Sequence, residues 1–177
     1  KRDWSSDVCS SDLIPFIQAI SDQFKQLMPN RWNNQYAYAK STRDFVIPNT
    51  VFTTITINKN FQTAAHTDRG DLFTGFGNLT VLESPEGFDG GYLIFPRYKV
   101  AVNIREGDFL AMDVHEVHGN TKISGKENHE RISVVCYYRE KIKNCGSMQE
   151  EKKLEEIFKK TGKLGYHHHH TTTLENV

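Results

Sequence analysis

Much is missing from this sequence, and each absence removes a class of function. No apolar run approaches the roughly 20 residues that a membrane-spanning helix needs, and no secretory leader is visible. Cysteine is scarce. Cys9, Cys136 and Cys145 are odd in number and lack zinc-like spacing, which argues against a disulfide framework or a zinc ribbon and for a reducing, cytoplasmic compartment. Neither charge sign is in excess, with 22 basic and 22 acidic residues, so no global basic field announces a polyanion, although a local groove can still be basic. No internal repeat is present. Gly75 and Gly77 lack the strand–GxGxxG–helix context that cradles a phosphate, and read instead as a mobile loop. The 177 residues fit one domain with a real core.

Both ends are set apart. The chain begins at Lys1 rather than a methionine, and residues 4–13, WSSDVCSSDL, resemble a translated sequencing adapter, so residues 1–13 are treated as disordered or artefactual. The run His167–His170 with its threonines reads as a disordered tail. Between them, residues 14–146 form the expected domain, and residues 147–177 a C-terminal helix and tail.

What is there is mostly strand. Ile14, Ile17, Ile20, Phe24, Leu27 and Met28 recur at helical spacing, which predicts an amphipathic helix over 12–28 with Pro15 in its first turn and Pro29-Asn30 as its stop. Residues 31–48 read as loop and irregular strand. Residues 50–58, TVFTTITIN, alternate with period two and predict a strand. Short strands follow at 79–83, 91–96, 98–104, 108–114, 121–123 and 131–139, divided by Gly, Pro and Asp. That texture predicts an antiparallel barrel or jelly roll rather than a βαβ fold. A last periodic stretch, 149–160, predicts a surface helix.

Chemistry concentrates in three places. His66-Thr67-Asp68 comes first, then His118-Gly119-Asn120, then Arg131-Ile132-Ser133. Alternation along a strand puts His66 and Asp68 on one face, and a distant histidine completes a facial triad that leaves coordination positions open for Fe(II) chemistry. His115 and His118 compete for the third position. Lying three apart on a predicted strand they face opposite ways, and His118 is preferred because Gly119-Asn120 lets the strand turn at the barrel mouth. HEVH is one residue short of the zincin signature HExxH, and its context is β-like, which argues against a zinc hydrolase. Arg131 returns to the same end of the barrel. Its planar guanidinium matches a carboxylate in a two-bonded fork, and Ser133 on the same face adds a hydroxyl. Taken alone, Arg131 could equally be a surface arginine pairing with Glu127 or Glu130.

With HTD, FDGGYLIFP, EGDFLAMD, HGN and RISVVCYYRE in view, residues 53–139 resemble the TET/JBP family of Fe(II)/2-oxoglutarate nucleobase dioxygenases, particularly its short phage-borne members. The resemblance implies a mainly β double-stranded β-helix, jelly-roll or cupin-like, with flanking helices. It implies Fe(II) on His66, Asp68 and His118, 2-oxoglutarate on Arg131, and O₂ as cosubstrate. It implies oxidation of the methyl group of a 5-methylpyrimidine in DNA, as a flipped or single-stranded base, with 5-methylcytosine to 5-hydroxymethylcytosine as the first expectation. In the family, a polar residue five positions after the first ligand histidine touches the base. Here that position is Asp71, which can accept from cytosine N4–H₂ or from thymine N3–H, and which also reads as a turn residue after Gly70. Asn58 reads either as a contact to 2-oxoglutarate or the base, or as a strand-terminating residue. Phe73 and Phe76 are candidates for stacking on a base or for burial in the core. Basic residues in 97–105 and 139–163 are candidates for phosphate contact, or a solvated surface.

The competing expectations are thymine in DNA, or a peptide or small molecule, as substrate of the same chemistry. A non-enzymatic binding module on a degenerate barrel is the alternative from another class.

Overall fold

The computed structural model describes residues 7–162. Helix α1 (Asp7–Leu27) starts earlier than the apolar periodicity indicates, so Pro15 lies inside it rather than in its first turn. Ile17, Ile20 and Phe24 face inward and are buried. The structure departs from the sequence reading at Pro29. This residue does not end helical structure. It opens a second helix, α2 (Pro29–Ser41), from a first-turn position where a missing N–H leaves no bond unmade. Residues 31–41 are therefore helical rather than loop or strand. The apolar stripe was absent because the buried positions of α2 are Gln35 and Ala39. Gln35 Nε2 donates to the Val51 carbonyl at 2.7 Å inside the core, so an amide occupies a place where periodicity looks for an aliphatic side chain.

The strands are β1 (Thr54–Lys59), β2 (Gly77–Glu83), β3 (Asp89–Gly90), β4 (Leu93–Phe95), β5 (Val100–Val102), β6 (Phe109–Met112), β7 (Gly119–Asn120), β8 (Ile123–Ser124) and β9 (Arg131–Tyr137). Every strand pairing is antiparallel. One sheet has the order β1-β9-β2-β6, a second β5-β4-β7, and β3 pairs with β8 alone. The strand expected from residue 50 starts at Thr54. Before it, the Thr50 hydroxyl donates to the Ile47 carbonyl and accepts from the Phe52 N–H, which closes a turn. Gly77, expected in a mobile loop, is the buried first residue of β2, where a side chain would strike Val114.

Strand β9 explains how the sheet positions a site. Its even positions, Ile132, Val134, Cys136 and Tyr138 just beyond its end, pack toward α1 and α2 with Phe24, Val51 and Phe52. Its odd positions, Arg131, Ser133, Val135 and Tyr137, line a cavity on the other side. Both faces are covered, which is why RISVVCY carries so few exposed residues. Helix α3 (Met148–Thr161) follows, opened by a reciprocal capping box between Ser147 and Glu150 and closed by Gly162 at φ 65°. No helix among the described residues is long and apolar enough to cross a membrane.

Candidate metal centre and its cavity

His66, Asp68 and His118 meet at one end of a cavity of about 380 Å³, which lies between the β1-β9-β2-β6 sheet and β4 and β7. One ligand atom from each lies within 4.8 Å of the others. Asp68 stands between the imidazoles, with one carboxylate oxygen 3.4 Å from His66 Nε2 and the other 3.7 Å from His118 Nε2. His66 Nδ1 lies 2.7 Å from the Ala64 carbonyl and His118 Nδ1 2.8 Å from the Glu116 carbonyl. A carbonyl only accepts, so each Nδ1 donates its proton there, which leaves Nε2 as the ring nitrogen facing the shared space. This is the tautomer that a metal-binding histidine requires.

The local backbone differs from the strand expected for HTD. His66 makes a single antiparallel bridge with His118, and the chain then turns, with the Asp68 N–H on the Val114 carbonyl. The turn itself falls at Arg69-Gly70, after Asp68, so the two side chains converge across a two-residue step that belongs to no named strand. Asn120 anchors the approach, since its Oδ1 accepts from both the N–H and the hydroxyl of Thr63 at 2.8 and 2.6 Å. Gly119 lets β7 come this close, as a Cβ there would press on the backbone of Ala64 and Ala65 at 3.1 Å. His115 lies apart from the triad, also in a turn rather than a strand, with Nδ1 2.9 Å from Asp113 and its ring against Phe73.

Arg131, Ser133 and Asn58 lie together on the cavity wall, Asn58 opposite Ser133 in the β1–β9 register. Arg131 is buried, yet its Nε has no hydrogen-bond partner, and neither Glu127 nor Glu130 pairs with it. Burial and the neighbouring Arg105 push its pKa down. A buried guanidinium held this way favours an anionic ligand. Asp71 is also buried on the cavity wall, its backbone in an isolated antiparallel β-bridge with that of Arg139. Burial first, then the charge of Asp68, raises its pKa to about 7 against the opposing pull of Arg139 and His115.

Tyr137, Arg139 and Phe61 also line the cavity; Arg139 entered the sequence reading only as a candidate phosphate contact, and Tyr137 and Phe61 were passed over. The period-two count that runs from Arg131 to Ser133 reaches Tyr137 and Arg139 when continued, so a signal for two of them existed. Phe76 packs in the core against Phe24, and Phe73 is exposed and does not line the cavity. Several basic residues considered for phosphate contact are paired with carboxylates: Arg97 with Glu116, Arg105 with Glu83, Lys143 with Glu140, Lys159 with Glu155.

Residues 5–140 match the Tet_JBP family, described as the oxygenase domain of the 2OGFeDO superfamily. The chain is 38% identical over 140 residues to the bifunctional helicase and thymine dioxygenase JBP2 of Leishmania major, a match covering 78% of this chain and 12% of that protein. It is 35% identical over 142 residues to the thymine dioxygenase JBP1 of Trypanosoma brucei brucei, covering 78% of this chain and 16% of that protein. The chain thus spans a small part of the length of these relatives. Among solved structures, NgTET1 in complex with 5mC DNA superposes with a TM-score of 0.63 at 15% identity, over 89% of this chain and 62% of that one. That likeness carries the double-stranded β-helix fold. By its sequence match the chain belongs to the Tet/JBP family of oxygenase domains, within the Fe(II)- and 2-oxoglutarate-dependent dioxygenase superfamily.

Proposed function

We propose that this chain hydroxylates the methyl group of a 5-methylpyrimidine in DNA, with residues 14–146 as the catalytic domain. The observation that carries the reading is the meeting of His66, Asp68 and His118, tautomers set, at the end of a cavity whose wall holds a buried arginine without a carboxylate partner. This donor set fits Fe(II): two imidazole nitrogens and one carboxylate leave positions open. The unpartnered Arg131 fits the distal carboxylate of 2-oxoglutarate. When bound, Fe(II) and 2-oxoglutarate supply the oxidation of an unactivated C–H bond by O₂.

In this reading the chain holds and orients. His66 and His118 offer Nε2 lone pairs, and Asp68 offers its carboxylate. Arg131 grips the cosubstrate by a charge-assisted fork, Ser133 adds a hydroxyl, and Asn58 an amide. Asp71 receives an N–H from the base edge. The apolar wall of Leu79, Leu93, Met112 and Val114 limits water around the reacting methyl. A base inside a duplex reaches such a cavity only when flipped out or single-stranded.

Two bases carry that methyl. 5-Methylcytosine, the first expectation, is supported by the fold shared with NgTET1, which was solved with 5mC DNA. Thymine is supported equally by the JBP1 and JBP2 relatives, which are thymine dioxygenases. A carboxylate at position 71 can accept from N4–H₂ of one or N3–H of the other. The test is succinate release on oligonucleotides bearing 5-methylcytosine, thymine, or neither 5-methylpyrimidine. Release stimulated by a methylated base supports the reading; equal release on all three, with turnover on a peptide or small molecule, moves the substrate elsewhere.

A further inference from the structure

Arg131 does not stand alone on the cavity wall. Its guanidinium carbon lies 5.6 Å from the ring centroid of Phe88, and that of Arg105 lies over the same ring at 4.1 Å. Phe88 is buried, just before β3. Arg105 Nη1 donates to the Phe88 carbonyl at 2.7 Å and lies 3.5 Å from Glu83, whose strand position is opposite Arg131. Gly91 completes the arrangement. A Cβ there would meet Arg131 Cδ and Nε at 3.1 Å and the edge of Phe88 at 3.2 Å, so the arginine stem passes through a gap that these residues define. Glu83 pairs with Arg105, and none of the ion pairs among the described residues includes Arg131.

Two guanidinium groups sharing one aromatic ring repel each other, and the ring's negative face offsets part of that repulsion. The arrangement keeps Arg131 extended, desolvated and charged without giving it an internal anion. From this geometry, and resting on the dioxygenase reading above, we infer that Phe88 and Arg105 are positioning residues for 2-oxoglutarate. Phe88 holds the Arg131 guanidinium at the depth where the distal carboxylate arrives, and Arg105 adds a second positive charge behind it. Neither touches the iron ligands, so their effect falls on cosubstrate affinity rather than on metal binding.

The test is calorimetric titration of 2-oxoglutarate into the full chain loaded anaerobically with Fe(II), for wild type, Phe88→Leu, Phe88→Tyr and Arg105→Gln. Leucine retains apolar bulk and removes the aromatic face, and tyrosine restores the face. Loss of one such cation–ring contact corresponds to about a tenfold rise in Kd. The expected result is about that rise in Phe88→Leu, a smaller rise in Arg105→Gln, recovery in Phe88→Tyr, and Fe(II) affinity unchanged throughout. In turnover, KM for 2-oxoglutarate rises while kcat holds. If Phe88→Leu lacks a cooperative melt, Arg105→Gln decides, because Arg105 is partly exposed and its replacement gives up its contacts with Phe88 and Glu83 without removing an apolar core side chain. A folded Phe88→Leu or Arg105→Gln variant that binds 2-oxoglutarate as tightly as wild type overturns the inference and leaves the dioxygenase reading intact. Failure of the wild type itself to bind 2-oxoglutarate overturns both.

Discussion

His66 and His118 exchange two backbone hydrogen bonds, at 2.8 and 2.9 Å, and their rings lie 4.5 Å apart, centroid to centroid. This one bridge joins the two distant halves of the candidate centre. The backbone pairing brings both imidazoles together, and Asp68 stands against both.

The first prediction concerns metal. An ion present at 100 times its Kd stabilises the folded state by about 2.7 kcal/mol. Wild-type protein melts higher when Fe(II) or Mn(II) is added, and Asp68→Ala loses the increment. The melting point of the metal-free variant stays close to that of wild type, because Asp68 is half-exposed. Scanning calorimetry with and without the ion reads both effects.

Arg131→Lys tests the planar fork. Lysine keeps the charge but offers a point donor on a shorter, more flexible stem. The expected outcome is at least about a tenfold rise in KM for 2-oxoglutarate, with Fe(II) affinity retained. Steady-state succinate assays at varied cosubstrate check it.

Asp71→Ala removes the candidate acceptor for the base. A lost charged hydrogen bond of about 1.5–3 kcal/mol predicts a 10- to 100-fold drop in kcat/KM for DNA. Cosubstrate consumption without DNA persists, because Asp71 is not among the candidate iron or 2-oxoglutarate residues. Comparing succinate with oxidised nucleoside in the same reaction exposes the uncoupling.

The core gives a prediction independent of catalysis. Gln35→Leu leaves the Val51 carbonyl buried without its donor and destabilises the protein by about 1–3 kcal/mol. Urea unfolding measures the change, and the m-value stays constant if the fold is kept.

Cys136 gives a pH dependence. Burial pushes its thiol up from 9.0 to about 12. Below pH 9 both folded and unfolded states hold the proton, so its contribution to stability is fully present there. Between 9 and about 12 the unfolded chain releases the proton first, and stability falls as pH rises. Cys136→Ala has a flatter alkaline limb in denaturation, and mass mapping finds Cys136 alkylated only after unfolding.

The legible parts of this protein share a physical trait. His66, Asp68, His118 and Arg131 are candidates by residue type, and their order along the chain survives any detail of backbone. Strand β9 was legible because period-two alternation reports two differently used faces. Helix α2 was not, since its buried positions are an amide and an alanine whose partners lie elsewhere in the chain. HTD lies outside every named strand, with only His66 in an isolated bridge, and H-x-D by itself does not distinguish that backbone from a full strand. The sharing of Phe88 by two arginines joins residues from three separate segments, and nothing local announces it.

The central claim is tested most directly by mass spectrometry of nucleosides. Oligonucleotides containing 5-methylcytosine or thymine are incubated with the protein, Fe(II), ascorbate and 2-oxoglutarate. The account predicts a gain of one oxygen on the methylated base, abolished by Asp68→Ala. Unaltered nucleosides from both oligonucleotides, with a protein that binds Fe(II) and turns over 2-oxoglutarate, would contradict it.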